Sequence, residues 1–318
     1  MMIFSDKDLS PNIQKFLPLI DKKYLFNNNY NLKHPGAIYN VSLSKIENSL
    51  KDFFDVYKAV EKIENFEEFE KEEKNKTSLL LKNYKNFLYC LREHLDDCFS
   101  IVKTFVQVDK IINERNQYLW LQKNANSVVK DFFKNISEYK KYLDNSVNEL
   151  KHNNATLCSI VFYNFNNCSD NCFGYYVANV NNGGYEPIEK VHKKFNNSAT
   201  GFSYRRDIIY NLFNVYYISE EMISLLKNKI GIDFKLLTPK TIEAAENKKK
   251  IFKNIMEMAR YHFPDEYLKP VPSLSLAKGN YLKLEYPSLL SIKPNLLNRV
   301  VATMSGDGHT AKFKIPYM

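Results

Sequence analysis

Glycine and proline are scarce, 9 and 11 among 318 residues, which excludes collagenous and turn-dominated architectures and favours long regular elements. Cysteine is scarce too: Cys90, Cys98, Cys158, Cys168 and Cys172 make an odd set of five. That number fits reduced thiols in a cytosol better than a disulfide framework. No stretch approaches the ~20 apolar residues that a membrane-spanning helix needs. The opening MMIFSDKDLS carries acidic residues instead of a secretory apolar run. A soluble, cytoplasmic protein is therefore expected. There is no repeat of about 20 to 50 residues, and no string specific to metal, nucleotide or nucleophile chemistry.

What is present is core-forming material. Hydrophobic residues make up 44% and aromatics 14% of a 37.4 kDa chain, enough for two or three domains or subdomains and too much for intrinsic disorder. Lys and Arg exceed Asp and Glu by 45 − 36 = 9, with a pI near 9.0. This balance suits contact with phosphate backbones or other acidic partners. Most of the cations are lysines scattered over helical faces without an arginine-rich run, which is equally the pattern of solubilising charge. Abundant Asn and Lys also fit an AT-rich genome.

Residues 1 to 43, with Pro11, Pro35, Gly36 and the Asn run 27 to 29, read as an irregular lead-in. Ser44 and Glu47 make a capping-box pair. Ile46, Leu50, Phe53, Tyr57 and Val60 then recur at helical steps on one buried face. The charged run EEFEKEEKNK, 67 to 76, reads as a solvated connector or helix end. From Tyr84, the positions Leu88, Leu91, Leu95, Cys98, Val102, Phe105, Asp109 and Ile112 keep a heptad spacing, predicting about 30 residues of helix packed lengthwise on another. After a break at 113 to 126, Val129, Phe132, Ile136, Tyr139, Leu143, Val147 and Leu150 repeat the pattern, so the two helices are expected as an antiparallel pair.

The period then changes to two in TLCSIVFYNF (156 to 165) and FGYYVANV (173 to 180), before a turn signal at Asn181 to Gly184. These strands, with a third, predict a small sheet. A Gly/Ser/Asn loop, 196 to 203, leads to an apolar helix from Tyr204 to about Lys229, and another helix is expected from Pro239 to about Tyr261. From Pro264 the chain holds six of its 11 prolines, and VVATM (300 to 304) with TAKFKI (310 to 315) reads as a hairpin around a Gly-containing turn. The fold class expected is mainly α: an antiparallel helix bundle over 44 to 262, with a small β-hairpin insertion at about 156 to 192 and an extended Pro-rich C-terminal arm over 263 to 318.

The stretch KYLDNSVNELKHNN, Lys141 to Asn154, closes a long amphipathic helix and aligns Lys141, Asn145, Asn148 and His152 on its polar side. At 100° per residue His152 lies about 180° from Leu143, facing away from the core stripe. The row of two amides and an imidazole suits a phosphate or a ribose hydroxyl. It is also what a solvated helix terminus looks like, with a His near the C-terminal dipole. Arg205, Arg206 and Asp207, opening the next apolar helix, read as cations for a developing phosphate charge or as a salt-bridged patch.

Cys90, His94 and Cys98 on one helix span about 12 Å at 1.5 Å per residue, too far for one zinc ion with bonds near 2.3 Å. They read as buried thiols and a half-buried His. Cys168 and Cys172 at a hairpin tip, with His192 approaching, are a better thiolate pair but lack a second pair to complete four ligands, and free thiols are expected. SGDGHT, 305 to 310, reads as a β-turn instead of a phosphate loop, because a strand pattern follows it. No metal or cofactor is expected.

The long helix pair, the terminal KHNNA at 151 to 155, the β insertion and the apolar helix opened by FSYRRD at 202 to 207 together resemble prokaryotic HEPN-type helical proteins of toxin and anti-phage modules, over roughly residues 80 to 228. The resemblance implies a homodimer and an RNA-directed site. In nuclease members an Arg precedes the His by four to six intervening residues; the matching positions here are Val147, Ser146 and Asn145. With that cation missing, the resemblance implies a non-catalytic component of a defence or regulatory system that binds RNA or a partner protein. The alternatives are a metal-independent RNA endonuclease using His152, oriented by Asn145 and Asn148, at a dimer interface, and a structural or host-interaction protein. Lys141, Lys151, Arg205 and Arg206 are the expected nucleic-acid contacts.

Overall fold

The computed structural model describes the chain except residues 1, 6–7, 62–65, 110, 164–170, 182–183, 240, 259–261, 278–280, 290–298, 302–315 and 318. It is mostly helical, with two small antiparallel sheets. Helix α1 (Asn12–Phe16) is short, and α2 (Pro35–Glu61) begins nine residues before Ser44. The expected capping box therefore lies inside a helix. The actual start is made by His34, whose Nδ1 accepts from the Gly36 N–H at 3.1 Å and whose carbonyl accepts from Ala37 and Ile38. Pro35 holds the first helical position, where its fixed φ helps and its missing N–H costs nothing.

Helix α3 (Phe66–Lys103) absorbs the charged run that reads as a connector. Glu and Lys are strong helix formers, so a run of them is no stop signal. At its other end α3 stops at Lys103, although the heptad spacing runs on to Ile112. Phe105 and Val106 stay buried in non-helical backbone, whereas Asp109, Ile111 and Ile112 are exposed. Lys103 is itself buried, with its Nζ 4.2 Å from the Trp120 ring centre and 5.1 Å from that of Tyr30.

Four helices pack antiparallel in pairs. On α2 and α3, Ser42 meets His94 at 2.8 Å, Lys45 meets Glu93 at 3.1 Å, and Phe53 packs on Tyr84 with centroids 5.2 Å apart. Helix α4 (Gln117–Asn124) leads into α5 (Asn126–His152), one continuous helix that runs back along α3, with Arg92 bonded to Asp144 at 2.8 Å and Phe99 against Phe133. Helix α6 (Tyr204–Leu225) reverses again along α5: Asn135 bonds Glu221 at 2.7 Å and Tyr139 bonds Asn211 at 3.1 Å. Phe53 on α2 also touches Tyr204 on α6, centroids 5.1 Å apart. The positions predicted to face inward on α2, Ile46, Leu50, Phe53, Tyr57 and Val60, are all buried. After α6 a single wide turn, Leu226–Ile230, ends at Gly231 with φ +82°, the left-handed conformation that favours glycine at a helix end. Helix α7 is shorter than expected, Glu246–Glu257, and Pro239 precedes it in irregular chain.

One sheet has the order β4-β3-β2-β8, with β5 added to β3. Its strands are β2 (Thr156–Tyr163), β3 (Cys172–Asn181), β4 (Gly184–Pro187), β5 (Phe202–Ser203) and β8 (Arg299–Val301). The other has the order β1-β7-β6, from β1 (Met2–Ser5), β6 (Val271–Ala277) and β7 (Tyr281–Ser288). A C-terminal hairpin lies at β6 and β7, and it is completed by the N-terminal segment, Met2 opposite Leu284. Leu274, Leu282 and Leu284 are buried on one face, a period-two signal that the prolines around it obscure. Of the expected hairpin at 300 to 315, only Val300 and Val301 fall within the described residues, paired with Phe162 and Val161.

Candidate functional site

Lys141, Asn148, Lys151 and His152 are exposed on α5, with Asn145 partly so, and His152 is its last residue. The Asn145 amide donates to the Lys190 carbonyl at 3.4 Å, and Lys151 Nζ lies 4.9 Å from the Tyr89 ring centre. Inside the row, Glu149 is buried and accepts from Lys190 at 3.3 Å and Asn153 at 2.8 Å. Two ammonium groups, an amide and an imidazole therefore face solvent along one helix.

Arg205 and Arg206 stand elsewhere. The neighbouring Asp207 bonds Tyr142 of α5, and His152 lies ten residues beyond Tyr142, about 15 Å along the axis. Within one chain the row and the two arginines form separate groups. Arg206 is largely buried, its guanidinium 3.7 Å from Glu266. Glu266 is 1% exposed. It accepts from the Ser203 N–H at 3.0 Å, the Ser203 hydroxyl at 2.6 Å and the Phe263 N–H at 2.9 Å. Burial pushes its carboxyl up to about 7, held back by Arg206. Next to it, burial and then Arg205 and Arg206 hold His262 down to about 3. Tyr317 donates to Asp265, joining the end of the chain to the same junction.

Asp207 is the second centre of this junction. It reads as part of a salt-bridged patch, but it is 1% exposed and accepts hydroxyls from Tyr84 on α3, Tyr142 on α5 and Tyr175 on β3, the last at 2.8 Å. Burial raises its carboxyl, and the three hydroxyls draw it back. Burial and then the Asp207 charge raise the Tyr84, Tyr142 and Tyr175 hydroxyls, so each stays protonated and donating. The arrangement ties α6 to three other elements. Nothing in the spacing of Tyr84, Tyr142, Tyr175 and Asp207 announces that they converge.

The other candidates are engaged structurally. His94 is fully buried, not half-buried, with Nδ1 2.8 Å from the Ser42 hydroxyl and Nε2 3.6 Å from Cys98 Sγ. Burial lowers it to about 4. His192 is also buried, and its Nε2 accepts the Val177 N–H at 2.7 Å. Cys90, Cys98, Cys158 and Cys172 are buried. Cys168 and the turn 305 to 310 lie outside the described residues. Among the described residues no group of three His, Cys, Asp or Glu is placed to hold a metal ion, and no helix is long and apolar enough to cross a membrane.

No family model, curated protein or solved structure matches this chain.

Proposed function

We propose that the protein is a non-catalytic, HEPN-like component of a prokaryotic defence or regulatory system, a homodimeric helical bundle that holds RNA on the solvent-facing row of α5. The observation that supports this reading is the joint exposure of Lys141, Asn148, Lys151 and His152 on one continuous helix of a chain with net charge +9. Such a surface gathers phosphates by counterion release. Cutting RNA needs more: a base for the 2′-hydroxyl, an acid for the leaving oxygen and a cation for the phosphorane charge. The row carries an imidazole but no arginine, and Arg206 is committed to Glu266.

Purified protein and a His152→Ala variant, incubated with total tRNA and single-stranded oligonucleotides with and without chelator, test this. Both should retain RNA in a salt-sensitive manner and leave it intact. Cleavage by the parent that the variant loses would replace this reading with that of a ribonuclease using His152. Absence of retention by either would leave a partner protein as the ligand of the row.

A further inference from the structure

Where α2 and α3 run side by side, a cavity of about 370 Å³ opens between Lys45, Asn48 and Asp52 on one helix and Asn86, Tyr89 and Glu93 on the other. Its volume is near the lower end of the ~300–1,000 Å³ common for small-molecule sites. Its lining sets the polar ends of Lys45, Asn48, Asp52, Asn86 and Glu93 around the Tyr89 ring and the Cys90 thiol. An apolar occupant would leave those groups unpaired, whereas a flat ligand rich in donors and acceptors would not.

At one end Lys45 Nζ donates to Glu93 Oε2 at 3.1 Å, and both side chains are about half exposed, 51% and 49%. An ammonium and a carboxylate side by side present donor, acceptor, acceptor. Guanine's Watson–Crick edge presents the complement: O6 accepts, and N1–H and N2–H donate. It alone among the four RNA bases engages both carboxylate oxygens and the ammonium together, because adenine, cytosine and uracil each offer that edge a single donor. Lys is also a customary partner of guanine O6.

From Lys45 to Asp52 is seven residues of helix, about 10.5 Å, close to the length of a nucleoside. At that far end the Asp52 carboxylate, with the Asn48 and Asn86 amides, can accept from and donate to ribose hydroxyls, the role an acidic side chain has toward ribose in dinucleotide sites. Beside the cavity the Tyr89 ring carries Lys85 Nζ at 5.7 Å and Lys151 Nζ at 4.9 Å, two ammonium groups available to a phosphate.

We propose that this cavity binds a guanine nucleotide, with the base read by Lys45 and Glu93, the ribose held by Asp52, and the phosphate met by Lys85 and Lys151. The ligand is either free or an unstacked residue of single-stranded RNA, and only the strand-borne form rests on the RNA reading above. Titrating guanosine and adenosine monophosphates into the full chain by calorimetry, and comparing oligoribonucleotides with and without guanine, separates the two sources.

The expected result is that guanosine monophosphate, or the guanine-containing strand, binds at least tenfold more tightly than its guanine-free counterpart. Glu93→Gln should erase that preference and Asp52→Asn should weaken binding severalfold. Both side chains are at the surface, and an unchanged circular dichroism melt confirms folding. Equal binding of the two nucleotides and of the two strands, or no binding of any guanine-bearing ligand, overturns the proposal. So does a preference indifferent to Glu93→Gln. RNA retention that responds to Lys141→Glu but not to Glu93→Gln, with no binding of guanosine monophosphate, would sink the pocket and leave the α5 surface standing. Guanosine monophosphate binding by a protein that retains no RNA would do the reverse.

Discussion

Replacing Asp207 with alanine is expected to lower the free energy of unfolding by about 3–5 kcal/mol, the range for removing one partner from a buried charged network. The loss has a specific origin. Asp207 accepts the hydroxyls of Tyr84, Tyr142 and Tyr175, and without it three buried donors compete for nothing, each stranded hydroxyl costing about 1–3 kcal/mol before relaxation. Tyr175→Phe removes one donor while the carboxylate keeps two, so it should cost only about 0.5–1.5 kcal/mol. Urea denaturation of both variants checks the asymmetry. A loss below about 1 kcal/mol in Asp207→Ala, or equal losses in the two variants, would contradict the reading of Asp207 as a hub. Should the alanine variant fail to fold, Asp207→Asn, which keeps the volume, carries the comparison.

The second large effect is acid lability. His94, His192 and His262 are buried, and burial holds them down to about 4, 3 and 3. They are neutral in the folded chain at pH values where the unfolded chain, titrating near 6.5, is protonated. Their contribution is complete above about pH 6.5 and drains away as the pH falls toward 3 or 4. Each contributes a slope of about 1.4 kcal/mol per pH unit. Glu266 works the other way: its carboxyl is raised to about 7, so its contribution is complete below about 4.5 and is lost as the pH rises through 7. Asp207, also raised by burial, has the sign of Glu266. The net is a fall of at most roughly 3 kcal/mol per unit between pH 6 and 5. Urea midpoints from pH 7.5 to 5 should drop steeply, and His94→Gln should flatten the slope by about one histidine's share. A level profile over that range would show that these rings are not neutral in the folded chain.

The helices were the readable part of this chain, because burial and period coincide. On α5 the apolar positions Val129, Phe132, Ile136, Tyr139, Leu143, Val147 and Leu150 recur on one face, and all are buried. Boundaries were less readable, for identifiable reasons. His34 is not a usual N-cap, and its imidazole acts locally on Gly36. The heptad beyond Lys103 continues in side chains but not in backbone, because Phe105 and Val106 reach the core from irregular chain. The sheet that joins Met2–Ser5 to Tyr281–Ser288 pairs segments almost a chain length apart, which no local pattern encodes.

The same distinction separates the two kinds of site. The row Lys141, Asn145, Asn148 and His152 comes from one helix, so its shared face follows from 100° steps. The Asp207 and Glu266 junctions draw on α3, α5, β3, β5 and the chain after Phe263, and convergence of that sort is decided by packing. The hint in the sequence was an Asp in the first turn of a very apolar helix. A charge placed there must be buried, and a buried charge must have partners.

The dependence of RNA affinity on salt tests the central reading of α5 most directly. For a single-stranded oligoribonucleotide the logarithm of the association constant should fall linearly with the logarithm of salt concentration, with a slope of about −0.7 per phosphate neutralised. Lys141→Glu combined with Lys151→Glu should make that slope shallower by more than one unit while leaving the melting profile intact. An unchanged slope in the double variant would place the RNA on another surface and contradict the account.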